Sequence, residues 1–334
     1  MLENKTILIT GGTGSLGQAL TKRLLEMGAN TIRIFSRNES KQIEMGDNIK
    51  DDRLRFFIGD IRDFHRLSKA VEGADFVFHT AALKHVPKIE YNPFEAIKTN
   101  VVGSQNVIEA SLDANVDKVV CIGTDKAVSP LNTYGATKLL AEKLFVSANN
   151  YLDKKKYRTK FFAVRYGNVL GSSGSVIPLF IKQIKSKQKI TITNSNMTRF
   201  SLTMSEALDF ILHATNIGKG SEIFIPKLRS YSITDVKSVL KEILENTGEE
   251  EIGIRPGEKL HEVLINTDEM KYVWEIDNMY MIINPLYHKF FDDDVKTRYP
   301  NAKKIESMKI YSSENVEKIS PTDLKQIILD SNLL

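Results

Sequence analysis

Tyr134 and Lys138, in the run Tyr134-Gly135-Ala136-Thr137-Lys138, stand four residues apart. That spacing puts two side chains on one face of a helix. A lysine ammonium beside a phenol favours the phenolate, whose parent pKa is roughly 10. Such a tyrosine takes a proton from a substrate hydroxyl while a hydride leaves the carbon that bore it. Just upstream come Thr124, Asp125 and Lys126, a hydroxyl followed by an adjacent acid and base.

A hydride needs an acceptor, and Thr10-Gly11-Gly12-Thr13-Gly14-Ser15-Leu16-Gly17 supplies the pattern for holding one. Gly12, Gly14 and Gly17 fit G-x-G-x-x-G, and Gly11, Gly14 and Gly17 fit the related G-x-x-G-x-x-G. Glycine lets the backbone approach a pyrophosphate closely, and the N–H groups opening the next helix hold its charge. Gly11, Thr13, Gly14, Ser15, Leu16 and Gly17 are therefore expected to touch a dinucleotide. In chains that select NAD, an acid closes the second strand and binds the ribose 2′-OH. Here Ser36-Arg37-Asn38-Glu39-Ser40-Lys41 stands in that place, and Arg37 offers a charged fork suited to a 2′-phosphate. NADP is the expected cofactor. Asp60 and Ile61 are expected at the adenine, and Thr80, Ala81 and Ala82 along the dinucleotide, with Lys84, Tyr134, Lys138 and Val169 completing its contacts.

These residues need a parallel sheet to bring them together. KTILIT (5–10), TIRIFS (31–36), RLRFFIGD (53–60), DFVFHTAA (75–82), KVVCIGT (118–124) and KFFAVRYG (160–167) read as strands. Helical patterns separate them, including 16–27 and 134–150, which is the rhythm of a doubly wound α/β fold. The rhythm changes at GSSGS (171–175), after which helices are expected at 203–216 and 232–245, with a strand at 222–226 between them. The expected organisation is a Rossmann-type domain over 1–170 and a smaller, mixed substrate domain over 171–334, with some segments returning to the first.

With these motifs in place, the chain resembles extended short-chain dehydrogenase/reductases acting on nucleotide sugars. Thr124-Asp125-Lys126-Ala127, Pro130, Asn132 and YGATK resemble the inverting UDP-N-acetylglucosamine 4,6-dehydratases of the pseudaminic acid pathway. So do SRNESKQ (36–42), ALKHVPKIEYNP (82–93), KLFVSANN (143–150), RYGNVLGS (165–172), MTRF (197–200), EIFIPK (222–227) and RPGEKLHEVLI (255–265). The resemblance covers about residues 3–265. It implies oxidation at C4 of the sugar, loss of water across C5–C6, return of the hydride to C6, and reprotonation of C5 from the opposite face. It implies Lys126 as the C5 base and Asp125 as the proton donor to O6, which would require a lysine of lowered pKa and an aspartate of raised pKa. Thr124 and Tyr134 complete the implied catalytic set. Related enzymes carry Met where Tyr134 stands, and the family often reads Ser where this chain has Gly123. Lys84, Asn168, Arg199, Arg255 and Glu258 are the implied contacts to UDP-N-acetylglucosamine. A retaining 4,6-dehydratase, a UDP-sugar 4-epimerase and a non-catalytic NADP-binding regulator remain alternatives at this point.

The bulk composition bears on partners. Of 334 residues, 42% are hydrophobic and 26% charged, with a net charge of +4 that is spread along the chain rather than massed. This is no nucleic-acid footprint. The single cysteine, Cys121, sits in an apolar strand and is expected in the core. His79, in DFVFHTAA, is expected to be a half-buried, hydrogen-bonded residue rather than a metal ligand, and no metal is expected. No apolar run reaches the ~20 residues of a membrane span, so a cytoplasmic homo-oligomer without a membrane partner is the expectation.

Overall fold

In the computed structural model, residues 1–153, 155–171, 175–283, 292–331 and 334 are described. Part of the expected 171–175 loop therefore lies outside the described residues. The strands are β1 (Thr6–Thr10), β2 (Thr31–Ser36), β3 (Leu54–Ile58), β4 (Phe76–His79), β5 (Lys118–Ile122), β6 (Lys160–Val164), β7 (Ile190–Ile192) and β8 (Thr198–Phe200). They continue as β9 (Glu222–Pro226), β10 (Ser230–Ser232), β11 (Glu249–Glu251), β12 (Val263–Ile265), β13 (Val273–Ile276), β14 (Met279–Ile283), β15 (Lys303–Lys304) and β16 (Tyr311–Ser312). The helices are α1 (Ser15–Glu26), α2 (Glu39–Ile49), α3 (Phe64–Val71), α4 (Val86–Tyr91), α5 (Pro93–Ala96) and α6 (Gly103–Asp113). After them come α7 (Thr133–Ala148), α8 (Val176–Lys185), α9 (Met204–Ile217), α10 (Ile233–Ile243), α11 (Asp292–Arg298) and α12 (Pro321–Asp330).

Ten strands form one sheet in the order β15-β13-β14-β9-β6-β5-β4-β1-β2-β3. From β3 across to β9 every pairing is parallel; β14, β13 and β15 extend the edge antiparallel. The order reverses between β1 and β4, the topological switch at which sheets of this kind bind ligands beyond their C-terminal strand ends. The central strands are short β-branched or aromatic runs because both their faces are covered. In β5, Val120 packs into the cluster that holds α1, while Val119 and Cys121 pack into the opposite cluster. Cys121 is fully buried, and burial pushes its thiol up to about 11.

β9, β13, β14 and β15 belong to the C-terminal half of the sequence, so that half contributes an edge of the large sheet. The rest of it closes a smaller core: Ile177, Phe180, Ile181 and Ile184 of α8 pack with Val236, Val239 and Leu240 of α10 and with Leu324 and Ile328 of α12. Local chemistry sets the helix starts. Asn38, Asp63, Asn132 and Ser320 each accept a backbone N–H from the first turn, while Thr203 and Ser232 form full capping boxes. Two strands end sooner than their apolar runs suggest. β4 stops at His79, although the Thr80 N–H and Oγ1 both still reach the Thr10 carbonyl. β6 stops at Val164, although the Arg165 N–H still reaches Phe224 O.

Between α5 and α6 the chain does not break: Ile97–Val102 is a π-helical turn joining them. Asn100 in that turn donates to Leu83 O (3.0 Å) and Thr137 Oγ1 (3.0 Å), and accepts from Leu83 N–H (2.8 Å). π-Turns inside helices recur at functional sites. This one ties the exit of β4 to the helix that carries Tyr134.

Candidate active site

The turn after β1 has the shape a pyrophosphate needs. Gly11 has φ +69°, and a Cβ there would lie 2.7 Å from the Ala81 backbone. A Cβ at Gly17 would lie 2.5 Å from Gly12 O. Both glycines are required by the protein itself, whereas at Gly14, the N-cap of α1, the only neighbour such a Cβ would meet within 4 Å is Gly11 O at 3.3 Å. The first-turn N–H groups of a helix have no acceptor earlier in that helix, so Ser15, Leu16 and Gly17 present donors where a phosphate would sit. Thr13 is buried in the same turn.

At the end of β2, Ser36 Oγ and Ser36 O accept from Gln42 Nε2, and Asn38 caps α2 by accepting from Lys41 N–H. Glu39, Ser40 and Lys41 are exposed on the first turn of α2. Arg37 is half exposed, with its guanidinium 3.5 Å from the Asp60 carboxylate. Asp60 accepts from Arg62 N–H, Nε and Nη2 at 2.7–3.0 Å. Although burial opposes it, these bonds and the charges of Arg62 and Arg37 hold the Asp60 carboxyl below its ordinary range. Asp60 is thus already satisfied by Arg62, and Arg37 makes no hydrogen bond to it. The Ile61 side chain is buried against Gly103, where a Cβ would meet Ile61 Cδ1 at 2.6 Å. Its carbonyl accepts from Asn106 Nδ2 at 2.9 Å. Ala81 and Ala82 are half-buried, and Lys84 is exposed.

At the C-terminal end of β5 the chain makes a 3₁₀ turn, Asp125–Ala127, capped by Thr124. Thr124 Oγ1 donates to Asp125 Oδ1 at 2.9 Å. Lys126 Nζ donates to the same Asp125 Oδ1 at 3.0 Å and to Asn168 Oδ1 at 3.2 Å. Asp125 is 1% exposed and its Oδ2 has no hydrogen-bond partner among the described residues, while the Lys126 side chain is 26% exposed. The sequence thus brings Thr124, Asp125, Lys126 and Asn168 to one point. α7 presses on this turn: a Cβ at Gly135 would run into the Lys126 carbonyl oxygen and come within 2.9 Å of Pro130 Cβ. The place of Gly123 has a similar cause, since a Cβ there would lie 2.6 Å from Val164 O. Tyr134 and Lys138 are both buried on α7, and Lys138 Nζ donates to Ile122 O at 2.7 Å. Val169 is buried beside Asn168.

The dehydration chemistry was expected to need a lysine of lowered pKa, but in the protein without substrate Lys126 is held above its ordinary value. Burial alone would push it down; the Asp125 and Glu262 carboxylates outweigh burial and push it up. His79 is fully rather than half buried, bonded through Nδ1 to Thr10 Oγ1 (2.8 Å) and through Nε2 to Ser104 Oγ (3.0 Å). Burial, helped by the charge of Lys138, pushes it down to about 3.

From the C-terminal half, Arg199 on β8 donates through Nη1 to Thr198 O and Leu260 O, and its Nε lies 3.6 Å from Glu262 Oε1. Arg255 and Glu258 are neighbours at 3.7 Å, half exposed, and Lys259 Nζ reaches back to Val128 O. Sequence reasoning missed Glu262. It is buried, 3.7 Å from Lys126 Nζ, and its Oε2 has no hydrogen-bond partner among the described residues. Its signal was an acid opening the apolar run VLI inside RPGEKLHEVLI. Also missed was the fully buried Arg165, which donates to Glu142 of α7 (2.6 and 2.9 Å), to Glu269 (2.8 and 2.9 Å) and to Leu264 O.

A glycine turn after β1, a buried Tyr134/Lys138 pair on α7 and the Asp125–Lys126 pair after β5 thus accompany a parallel sheet. The family model described as "Polysaccharide biosynthesis protein" matches residues 7–284. The chain belongs to this family, with the inverting UDP-N-acetylglucosamine 4,6-dehydratases. It is 46% identical over 321 residues to a protein of that name from Campylobacter jejuni, covering 94% of each chain. Membership makes it a dehydratase-type enzyme. A Methanocaldococcus jannaschii protein named an uncharacterized membrane protein is 48% identical, with 84% of this chain and 86% of that protein covered. Among the described residues no helix is long and apolar enough to cross a membrane. A Rickettsia felis protein named UDP-glucose 4-epimerase is 38% identical, covering 99% of this chain and 97% of that one. Among solved structures, Pen from Bacillus thuringiensis matches with a TM-score of 0.90 at 42% identity, covering 100% and 99% of the two chains.

Proposed function

We propose that the enzyme catalyses NADP-dependent 4,6-dehydration of UDP-N-acetylglucosamine with inversion at C5, giving UDP-2-acetamido-2,6-dideoxy-β-L-arabino-hex-4-ulose, as the first step of a pseudaminic-acid-like pathway in the cytoplasm. The observation that carries the reading is the Lys126–Asp125 pair, held 3.0 Å apart at the end of β5 and anchored by Thr124 and Asn168. Oxidation and re-reduction at C4 need only the tyrosine; elimination across C5–C6 needs a second base and an acid.

Held at the turn after β1, a nicotinamide dinucleotide would supply the hydride chemistry between C4 and C6. Tyr134 takes the C4 hydroxyl proton, and Lys138 supplies positive charge on the same helix face. The C4 ketone acidifies the C5 proton, which Lys126 takes as a free amine; Asp125 gives its proton to O6, which leaves as water. Reprotonation of C5 from the opposite face inverts it, and no net cofactor is consumed. Arg199, Arg255 and Glu258 hold the UDP moiety, with Asn168 at the diphosphate and Lys84 between cofactor and sugar. The names of the Rickettsia relatives favour a second reading, a 4-epimerase, which has no use for Lys126 or Asp125.

Incubation with UDP-N-acetylglucosamine in D₂O decides between them. The dehydratase gives a 6-deoxy-4-keto sugar with deuterium at an inverted C5. Unchanged substrate or a C4 epimer alone refutes it, and so does a Lys126→Ala enzyme that dehydrates at the wild-type rate. Homo-oligomerisation is part of the same proposal. It is supported by the exposed Tyr91, Phe94, Ile97, Val102 and Leu140 on α4, α5, the π-turn and α7, which pack on one another. Sedimentation as a monomer at micromolar concentration would exclude it.

A further inference from the structure

Arg255-Pro256-Gly257-Glu258 has the sequence of a tight turn. Proline pre-sets the second place of a type II turn, and glycine supplies the positive φ of the third. The structure has such a turn: Gly257 has φ +81°, and the Glu258 N–H donates to Arg255 O at 3.1 Å. Arg255 and Glu258, its two ends, are the side chains given above to the UDP moiety. A carbonyl in such a turn must find its partner elsewhere. That of Gly257 finds one 125 residues back along the chain, where Asn132 Nδ2 donates to it at 3.0 Å.

Asn132 is also the N-cap of α7. Its Oδ1 accepts from the Gly135 N–H at 2.8 Å, across the first helical turn, in which Tyr134 lies. One planar amide thus holds the helix through its oxygen and the Arg255–Glu258 turn through its nitrogen. Capping alone would be served as well by serine or aspartate. Neither does both tasks: an ionised aspartate has no donor, and a serine hydroxyl spent on the cap is too short to reach the turn.

We propose that Asn132 is a positioning residue for oxidation at C4: it acts through Tyr134, holding the Arg255–Glu258 turn at a fixed offset from the phenol, so that a sugar anchored by its UDP presents C4 there. The inference rests on the roles given to Tyr134, Arg255 and Glu258 in the proposed function. Three observations support it. The two backbones touch, since a Cβ at Gly257 would lie 3.2 Å from Asn132 Cβ. A second tether runs beside the first, because Lys259 Nζ donates to Val128 O, between the 3₁₀ turn and α7. Finally, Glu258 Oε2 is buried with no hydrogen-bond partner among the described residues, which leaves an acceptor for a ligand hydroxyl at the end of the turn.

α7 has other anchors at its start. Glu90 of α4 accepts from the Thr133 N–H (2.6 Å) and from Thr133 Oγ1 (3.0 Å), and Lys138 is fixed on Ile122 O. A substitution at 132 that keeps a cap therefore spares the helix and removes the link to the turn. Misplacing reacting groups by about 1 Å costs up to about a hundredfold in rate. One neutral hydrogen bond contributes only about threefold to tenfold to affinity. Loss of the link is thus read more in rate than in binding.

The test compares the NADP-loaded wild type with Asn132→Ser, a neutral cap without the link. Calorimetry gives the affinities for UDP and NADP. The rate at C4 is read with the 6-deoxy analogue of UDP-N-acetylglucosamine, which has no O6 to lose, so that oxidation stops at the ketone with the nicotinamide reduced. Asn132→Ser is expected to bind NADP as the wild type does and UDP about threefold to tenfold more weakly. At saturating analogue it reduces nicotinamide at least roughly tenfold more slowly. Gly257→Ala, which strains the turn against Asn132, gives the same pattern, and the double variant loses no more than the worse single one. An Asn132→Ser enzyme that oxidises C4 at the wild-type rate overturns the proposal, as do losses that multiply in the double variant. Should Asn132→Ser fail to fold, Gly257→Ala decides by the same readouts. The analogue cannot be dehydrated, so a wild type that only epimerises UDP-N-acetylglucosamine defeats the dehydratase reading and leaves this test standing. A wild type that reduces no nicotinamide with the analogue overturns the role of Tyr134 and this proposal with it.

Discussion

Arg37 shows how much one side chain decides at the residue scale. Its guanidinium lies 3.5 Å from Asp60, a carboxylate that already accepts its hydrogen bonds from Arg62. A 2′-phosphate bound there would meet an arginine that makes no hydrogen bond to Asp60. Arg37→Ala is therefore expected to weaken NADP binding by roughly tenfold to a hundredfold, the range of one lost charge-assisted hydrogen-bond pair, and to change NAD binding little. Isothermal titration with both dinucleotides checks this; an equal loss for the two would show that Arg37 reads no phosphate. Arg37, Asp125 and Lys126 were legible in the sequence because each sits at a position fixed by a strand end. Glu262 was not, because its meaning comes from a partner far away in the chain, and burial of an acid leaves no local mark. The raised pKa of Lys126 was not legible for the same reason: the Glu262 carboxylate that helps raise it lies in the other half of the sequence.

At the scale of elements, the decisive contact is between α7 and the turn after β5. α7 presents Tyr134 and Lys138, and the turn presents Asp125 and Lys126. Gly135 lets them approach, since any side chain there collides with the Lys126 carbonyl. Gly135→Ala improves intrinsic helix propensity by up to ~1 kcal/mol, yet it must push the turn away. The expected outcome is a folded enzyme that still oxidises C4 but eliminates water at least tenfold more slowly, read by comparing nicotinamide reduction with product formation. Equal slowing of both steps would place the effect on Tyr134 instead. The same helix is held from behind by Arg165, clamped between Glu142 and Glu269. The parallel strands and α7 could be read from apolar runs and spacing. Their ends could not: at the exit of β4 the Asn100 side chain takes up both backbone groups of Leu83, a contact between distant segments.

For the whole molecule, one sheet carries the fold, and His79 sits in it with both ring nitrogens satisfied inside the protein. Its folded-state pKa, about 3, lies below the ordinary value of about 6.5, so the unfolded chain takes up the proton first as the solution is acidified. The stability this residue contributes is whole above about pH 6.5 and is lost as pH falls towards 3, on the order of 4 kcal/mol over that window. Urea midpoints measured from pH 7 to 4 are expected to fall more steeply for wild type than for His79→Gln, although the variant starts lower. Parallel lines for the two would mean that acid sensitivity lies elsewhere. The ten-stranded continuity was only partly visible in the sequence: the helical rhythm stops near residue 171, yet β9, β13, β14 and β15 rejoin the sheet.

The π-turn at Ile97–Val102 makes this architecture sensitive to a very small genetic change. A π-turn holds one residue more than an α-turn, so loss of a single codon, such as that for Val101, would restore regular helix. Everything before it would then turn by about 100° against α6. Asn100 would swing off both Leu83 and Thr137, uncoupling the β4 exit from α7 while leaving almost every core residue in the protein. Three missing nucleotides in that stretch should thus be more damaging than many substitutions, and a length change there would mark a lineage that had given up this chemistry.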